Sequence, residues 1–308
     1  MKDKLLFVSV IIPCRNEEKF IEKCLQSILG QTYPKERFEI LVVDGMSEDR
    51  TRQIAENYSD NVKVFDNPKE IFPVACNVGI KNARGDLIVI IGCHATYPNN
   101  YIEQCVEYSR KYGADNVGGK VEPVPYEKTI ISKAIAISLK DFFGKSRDVG
   151  KESRLVDTVF GGCYRREVFQ KIGFFNENLI RSSDMEFNMR LKRNGGKIIL
   201  VPDLVVYYYP KSTLLDFFKH NIKDGIWVIL PFKFIKRPLK LRHYIPLIFV
   251  LTLLLSIWFY IPINLYFSSR IALREKDLRY FFIMPIVFFS RHFAYGLGSV
   301  LGFIKLII

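Results

Sequence analysis

The chain has 308 residues, 49% of them hydrophobic, which is enough for one large domain and an additional segment. The formal net charge is +13, but no nucleic-acid recognition motif accompanies the basic residues, which argues against a nucleic-acid-binding protein. The six cysteines form no CxxC pair and no zinc pattern, so we expect reduced, buried thiols rather than disulfides or a zinc site.

The N-terminus lacks the features of a secretory signal. Its uncharged run, Leu5 to Cys14, is too short to cross a membrane and ends at Arg15. No small-residue cleavage site follows. We therefore expect the N-terminal domain to face the cytoplasm.

The first 112 residues alternate short apolar strands with amphipathic helices. The expected strands are Val8 to Pro13, Phe38 to Val43, Val62 to Phe65 and Leu87 to Ile91. The expected helices begin after Asn16, which can act as a helix cap, near Ser47, at Pro73 and at Asn99. This order predicts an α/β fold with a doubly wound, mostly parallel sheet.

Beyond Gly113 the pattern is less regular. A strand is expected near residues 116 to 121, and helices are expected at 127 to 143, 165 to 172 and 184 to 193. Two strands are expected at 197 to 202 and 205 to 208. Ligands bind such sheets at the carboxyl ends of the strands, so the loops that start at Pro13, Asp44 and Gly92 are the places to seek chemistry.

The C-terminal region is strongly apolar. No charged residue lies between His243 and Arg270, and a helix needs about 20 residues to cross a bilayer. We expect residues 244 to 267 to span once and residues 280 to 308 to form a second membrane segment. The alternative for the second segment is a broken pair, with an interfacial piece on either side of Arg291. The basic, aromatic stretch 211 to 243 is expected to contact anionic headgroups. This divides the chain into domains at 1–210, 211–243 and 244–308.

Several motifs, in order, resemble the family 2 glycosyltransferases, which have the GT-A fold. They are VSVIIPCRNEEKFIEKCLQSILGQTYP, FEILVVDGMSEDRT, the stretches beginning at Asn77 and Ala83, DTVFGGCYRREVF, and the helix beginning at Asp184. The resemblance covers about residues 5 to 230. DTVFGGCYRREVF and the tail segment from Arg291 are similar to a membrane-anchored, succinoglycan-biosynthesis-like subgroup.

The resemblance implies a nucleotide-binding set: Pro13, Arg15, Asn16, Glu17, Asp44 and Asn77. Within this set Asp44 would accept a hydrogen bond from the base, and Arg15 could meet a phosphate. Two other interpretations stay open, namely that Asp44 is a turn residue and that Asn16 is a plain helix cap.

The resemblance also implies a divalent metal, Mn²⁺ or Mg²⁺, at an Asp-x-Asp motif. This chain has Gly92-Cys93-His94 there instead, so His94 is the candidate ligand, and metal dependence is open. The alternative is that His94 only lines the cleft.

By the same resemblance Asp184 is the general base, which takes the acceptor hydroxyl proton. The alternative is a helix start at which Asp184 is a cap and Glu186 pairs with Arg190. A further set is expected near the acceptor or diphosphate: Asp157, Gly161, Gly162, Glu186, Lys223 and Trp227. The glycines could equally mark a tight turn, and Lys223 and Trp227 could equally belong to an interfacial amphipathic helix.

Together these features predict an inverting glycosyltransferase. It would move a sugar from a UDP- or GDP-sugar to a membrane-associated, lipid-linked saccharide in surface glycan or exopolysaccharide synthesis. The expected partners are the nucleotide-sugar donor, the acceptor and membrane lipids. The alternative function is a catalytically weak, sugar-nucleotide-binding membrane scaffold, which the missing first Asp at Gly92 would favour.

Overall fold

The computed structural model describes residues 5–144, 150–233 and 241–307. The chain divides into two compact units. We call Met1–Glu122 with Val149–Tyr208 the sheet unit, and Pro123–Asp148 with Tyr209–Ile308 the helical unit. Residues 123 to 144 therefore pack with the C-terminal helices, although their sequence position places them inside the expected N-terminal domain.

In the described residues of the sheet unit, nine strands form one sheet. They are β1 (Val8–Cys14), β2 (Phe38–Asp44), β3 (Val62–Asp66), β4 (Leu87–Ile90), β5 (Ala95–Thr96), β6 (Asn116–Pro123), β7 (Arg154–Leu155), β8 (Phe160–Arg165) and β9 (Ile198–Tyr208). Their order is β3-β2-β1-β4-β8-β6-β9-β5, with β7 paired to β9.

The sheet has a parallel half and an antiparallel half. β1 pairs in parallel with β2 and β4, and β2 with β3, which is the doubly wound arrangement that the sequence predicts. Beyond β4 the pairing changes, because β8 runs antiparallel to both β4 and β6. The two expected strands near the end of the unit are one continuous strand, β9.

Six helices lie in the described residues of this unit. They are α1 (Ile21–Leu29), α2 (Thr51–Glu56), α3 (Phe72–Asn82), α4 (Tyr101–Tyr112), α6 (Arg166–Ile172) and α7 (Ser183–Arg193). Each has an apolar stripe that packs on the sheet. Gly113, in the left-handed conformation with φ 54°, ends α4, as glycine does at many helix ends.

The central strand β1 is buried along its whole length. Its neighbouring side chains alternate between two hydrophobic clusters, since Val10 and Ile12 belong to one cluster and Ile11 to the other. The sheet is therefore covered on both faces, which explains why its strands read as uninterrupted apolar runs.

The helical unit contains five α-helices in its described residues. They are α5 (Ile130–Lys140), α8 (Leu214–Ile229), α9 (Leu241–Leu251), α10 (Leu253–Glu275) and α11 (Arg279–Ile307). Thr129 caps α5 by accepting a hydrogen bond from the Ser132 N–H, at 3.2 Å. Thr213 caps α8 in the same way, with the Asp216 N–H at 3.2 Å.

The apolar C-terminal region differs from the two expected segments. Residues 244 to 267 do not form one helix, because α9 ends at Leu251 and α10 begins at Leu253, with Thr252 outside helical geometry. Conversely, α11 continues through Arg291, so the alternative of a pair broken at that residue is wrong. Within the described ranges, α11 is the one helix whose length and composition would allow it to cross a membrane. Residues 234 to 240 of the basic stretch expected at 211 to 243 lie outside the described residues.

The buried carboxylate of Glu39 on β2 makes the stability of the sheet unit depend on pH. Burial raises the pKa of Glu39. Hydrogen bonds from the Ser9 hydroxyl (2.7 Å) and from the Arg84 backbone (2.8 Å) and guanidinium (3.1 Å) lower that pKa by more than burial raises it, so it lies below its ordinary value of 4.5. A carboxyl group whose pKa falls on folding stabilises the protein above its unfolded pKa, and that stabilisation disappears as the pH falls through the folded pKa.

We therefore predict that Glu39→Gln lowers the stability by about 1–3 kcal/mol at neutral pH and by much less near about pH 3. Thermal unfolding of the detergent-solubilised protein at both pH values measures the difference. The exposed Glu22→Gln on α1 serves as the control and should leave both values unchanged. An equal loss at both pH values for Glu39→Gln would contradict the prediction.

Candidate active site

The loops that follow β1 and β2 are joined by Asn16. Its backbone N–H donates to the Ser47 hydroxyl at 2.9 Å, and its side-chain oxygen accepts from the Glu48 N–H at 2.9 Å. Asn16 has φ 53°, a left-handed conformation that asparagine tolerates. Since α1 begins at Ile21, with Phe20 before it, the expected role of Asn16 as a helix cap is wrong. Asn16 instead shapes the carboxyl edge of the sheet.

Asp44 ends β2 and is almost fully buried. Its two oxygens accept hydrogen bonds from the Ser47 N–H (3.1 Å) and hydroxyl (2.5 Å). Asp44 therefore stabilises the turn after β2, which is one of the two interpretations that the sequence allows. The guanidinium of Arg52 lies 3.9 Å away. A carboxylate has about four acceptor positions, so these contacts leave capacity for a further donor.

The neighbouring candidates occupy distinct environments. Pro13 is buried within β1, in register with Val43 on β2. Arg15 is solvent-accessible and forms an ion pair with Glu70 at 2.6 Å. The backbone N–H of Glu17 donates to the Thr51 hydroxyl at 2.6 Å, which orients the Glu17 side chain.

His94 lies beyond the end of β4 and faces Glu17. The His94 Nδ1 and the Glu17 Oε1 are 3.3 Å apart, and the ring packs edge-on against Tyr208 at 5.3 Å. The His94 side chain is 38% exposed, so it can be reached from solvent. Among the described residues no three His, Cys, Asp or Glu side chains cluster to hold a metal, so the protein offers at most this imidazole and carboxylate. Both donors suit Mn²⁺, and they would need further ligands from a bound molecule.

Asp184 lies in the first turn of α7. Burial raises the pKa of its carboxyl group, and hydrogen bonds from the Met185 and Asp184 backbone N–H groups only partly offset this. Burial and then the Asp184 carboxylate raise the pKa of the Cys76 thiol on α3, so Asp184 lies close to that helix.

The position of α7 depends on Asn188, which the sequence analysis missed. Its side-chain oxygen accepts from Asn116 (3.0 Å) and from the Tyr164 hydroxyl (3.2 Å), and its amide donates to Thr158 (2.9 Å). Asn188 is completely buried, between Phe187 and Leu191. The sequence does contain a signal for this role, because Asn188 lies within the apolar stripe of a helix. A buried amide needs hydrogen-bond partners, so an asparagine in such a stripe indicates a buried polar contact.

The residues expected near the acceptor have mainly structural contacts. Asp157 forms an ion pair with Lys192 of α7 at 2.7 Å. Gly161 has φ 60°, and its carbonyl accepts from the Tyr101 hydroxyl at 3.0 Å. A side chain on Gly162 would collide with Asn116. Both glycines lie within β8, so the tight-turn alternative is wrong, and what the structure shows at both positions is close packing against neighbouring groups.

Two other candidates serve neighbouring loops. Glu186 forms the two-point ion pair with Arg190 that the alternative interpretation expected, at 2.9 and 3.0 Å. Asn77, within α3, donates to the Phe175 carbonyl (3.0 Å) and to Glu177 (3.1 Å), and accepts from the Phe175 N–H (2.9 Å). Its hydrogen bonds therefore hold the loop before α7 rather than reaching toward a nucleotide. Lys223 and Trp227 lie on α8 of the helical unit.

The sequence of residues 9–173 matches Glycosyl transferase family 2. The chain belongs to this family. A similar protein of Methanococcus voltae is the dolichyl N-acetyl-alpha-D-glucosaminyl phosphate 3-beta-D-2,3-diacetamido-2,3-dideoxy-beta-D-glucuronosyltransferase. It is 30% identical over 316 residues, covering 97% of this chain and 98% of that protein. The succinoglycan biosynthesis protein ExoA of Rhizobium meliloti is 28% identical and covers 72% of this glycosyltransferase and 73% of its own length.

A solved structure supports the fold. The mannosyltransferase of Pyrobaculum calidifontis, in complex with GDP-Man and Mn²⁺, matches with a TM-score of 0.64 at 18% identity, over 97% of this chain and 88% of its own. The glycosyltransferase thus has the expected GT-A fold, and the expectation that it is an enzyme of this class is confirmed.

The contacts of Asn77 lead to a test of its role. Asn77→Leu should destabilise the protein by about 1–3 kcal/mol, because it leaves the buried Phe175 backbone groups without partners. Thermal unfolding measures this loss, and Asn82→Leu, exposed on the same helix, is the control. Donor affinity per folded molecule should stay at the wild-type value. A variant of normal stability that binds donor poorly would assign Asn77 to the nucleotide instead.

Proposed function

We propose that this glycosyltransferase inverts the anomeric centre of a UDP- or GDP-sugar and that Asp184 is its general base. The observation that carries the proposal is the position of the Asp184 carboxyl group in the first turn of α7, close to Cys76 of α3, where burial raises its pKa. Such a group is a better proton acceptor than an ordinary surface aspartate. The hydrogen bonds of Asn188 fix the position of α7, the helix that carries Asp184.

In the proposed step, the Asp184 carboxylate takes the proton of an acceptor hydroxyl. The oxygen of that hydroxyl attacks the anomeric carbon, and the bond from that carbon to the diphosphate breaks. The nucleoside diphosphate leaves with the electron pair of that bond. One carboxylate suffices, because no covalent sugar–enzyme intermediate has to form and be hydrolysed.

The donor would bind at the carboxyl edge of the parallel half of the sheet. Asp44 supports this placement, since its carboxylate ends β2 and keeps acceptor capacity for a base N–H. Arg15, next along this edge, supplies an exposed cation that could exchange its partner Glu70 for a phosphate. Asn16 fixes the spacing of the two loops.

A divalent cation would be held by His94 and Glu17. A cation there would neutralise negative charge on the leaving diphosphate. The imidazole of His94 favours Mn²⁺ over Mg²⁺. The cation would complete its ligand set with diphosphate oxygens, since the described residues offer no third donor nearby.

The acceptor is proposed to be a lipid-linked saccharide at the cytoplasmic face of a membrane, in the assembly of a surface glycan. The relative from Methanococcus voltae is named for a dolichyl phosphate-linked sugar, and that from Rhizobium meliloti for polysaccharide synthesis. The apolar C-terminal helices of this chain agree with such an acceptor.

Replacing the base is the direct test of this mechanism. Asp184→Asn should retain donor binding but lower kcat by about 10² or more, since the amide cannot take the proton. Release of nucleoside diphosphate in the presence of lipid-linked acceptors measures kcat, and the exposed Asp60→Asn is the control. Because the Asp184 pKa is raised, the wild-type rate should fall on acidification at a pH above the ordinary aspartate value of 3.8. Near-wild-type turnover by Asp184→Asn would refute the assignment, and donor binding without any wild-type turnover would favour the scaffold alternative.

The metal site has a separate test that does not need turnover. Mn²⁺ together with a nucleoside diphosphate should raise the melting temperature of the wild type more than the diphosphate alone. His94→Ala and Glu17→Gln should each abolish the Mn²⁺-dependent part, whereas His220→Ala, on α8, should retain it. An Mn²⁺ effect that survives in both site variants would show that the cation binds elsewhere.

A further inference from the structure

Helices α9 and α10 present a continuous apolar surface to solvent. Large side chains along it are strongly exposed, among them Leu254 (87%), Leu255 (74%), Trp258 (74%) and Phe259 (76%). The same surface includes Ile245, Ile248, Leu251, Ile261 and Tyr266. A surface of this extent is far larger than the apolar patches that soluble proteins leave in water, so it requires a partner.

The charges around this surface identify the partner as a lipid bilayer. No charged residue lies between positions 244 and 269. Where α10 ends and α11 begins, four exposed basic residues outnumber two acidic ones, Glu275 and Asp277, which pair with Arg274 and Arg279; the basic residues are Arg270, Arg274, Lys276 and Arg279. An apolar face with a basic rim fits acyl chains bordered by anionic headgroups. Trp258 and Tyr266 are residue types that favour the boundary between the two.

The geometry of α9 and α10 does not suit a complete crossing. Within the described residues α9 spans 11 residues, Leu241–Leu251, and the chain leaves helical geometry at Thr252. The uncharged part of α10 runs from Leu253 to Ser269, which is 17 residues and about 25 Å of helix. A bilayer core of about 30 Å is thicker than that.

α11 is long enough to cross, but α8 packs along its second half. Arg291 of α11 lies over the ring of Phe217 at 5.9 Å, and side chains on Gly298 or Gly302 would collide with the backbone of Ile222 or Ile226, respectively. The two helices therefore run in parallel. This pairing places the exposed Lys219 and Lys223 of α8 beside the middle of α11. A crossing α11 would carry both ammonium groups into hydrocarbon, where charge is strongly unfavourable.

We propose that the helical unit is monotopic: α9 and α10 insert into one leaflet, and α11 is the internal helix on which they and α8 pack. The inference stands independently of the proposed sugar transfer, because it uses only the helices of this unit. It replaces the two crossings that the hydropathy of the sequence predicts.

The first test is the sidedness of three positions in the full-length protein. Short epitope tags are placed before residue 5, between Lys276 and Asp277, and after residue 308, and antibody access is measured on intact and opened membrane vesicles. A monotopic unit leaves all three tags on one side. A protected tag at Lys276 alone would show two crossings, and a protected C-terminal tag alone would show that α11 crosses. Either result overturns the proposal.

The second test is flotation of the purified protein with vesicles of phosphatidylcholine and phosphatidylglycerol. Leu254→Ser, Leu255→Ser and Phe259→Ser combined should lower the partition coefficient about a hundredfold or more, because three inserted side chains lose their apolar environment. These side chains are on the surface, so the melting temperature should be unchanged. Leu5→Ser with Leu155→Ser, exposed apolar positions of the sheet unit, is the control and should float like the wild type.

Two flotation results would overturn the proposal. One is a triple variant that floats as well as the wild type. The other is a wild-type protein that does not float but forms oligomers that the triple substitution dissociates, since the apolar surface would then bind a second copy of the chain.

Discussion

The placement of α7 against the sheet depends on the buried amide of Asn188. Its three hydrogen bonds reach Asn116 on β6, Tyr164 on β8 and Thr158 just before β8. Burying an amide without hydrogen-bond partners costs free energy. Few other positions of α7 against the sheet would give the Asn188 amide its partners. On the other side, Arg190 donates to the Phe174 carbonyl at 2.8 Å and pairs with Glu186. The first turn of α7, which carries Asp184, is thereby fixed by contacts made further along the same helix.

The parallel half of the sheet was accessible from sequence because β1, β2 and β4 are short apolar runs that are buried along their whole length. β1 and β2 end within a residue of their expected limits. The antiparallel half was not accessible in the same way. β8 lies between β4 and β6, and such pairing depends on contacts between distant segments rather than on local periodicity.

The candidate site shows the same limit. The loops after β1, β2 and β4 were located correctly, since the carboxyl ends of parallel strands meet at one edge. The contacts that Asn16 and Asn77 make within the protein could not be predicted, because an asparagine serves equally as a cap, a bridge between loops or a ligand. In the helical unit, composition was enough to locate the apolar residues. The break at Thr252 and the packing of α8 on α11 depend on how side chains fit together, and hydropathy contains no information about that fit.

The six cysteines have a practical consequence. All are free and buried, and burial raises the pKa of the thiols of Cys14, Cys76 and Cys105. Maleimides and similar reagents react with exposed thiolates, so the native chain should be nearly inert toward them. A single cysteine introduced on the surface would then carry a fluorophore or spin label selectively, without a cysteine-free background. Distances between the two units could thus be measured in solution on an otherwise unaltered protein.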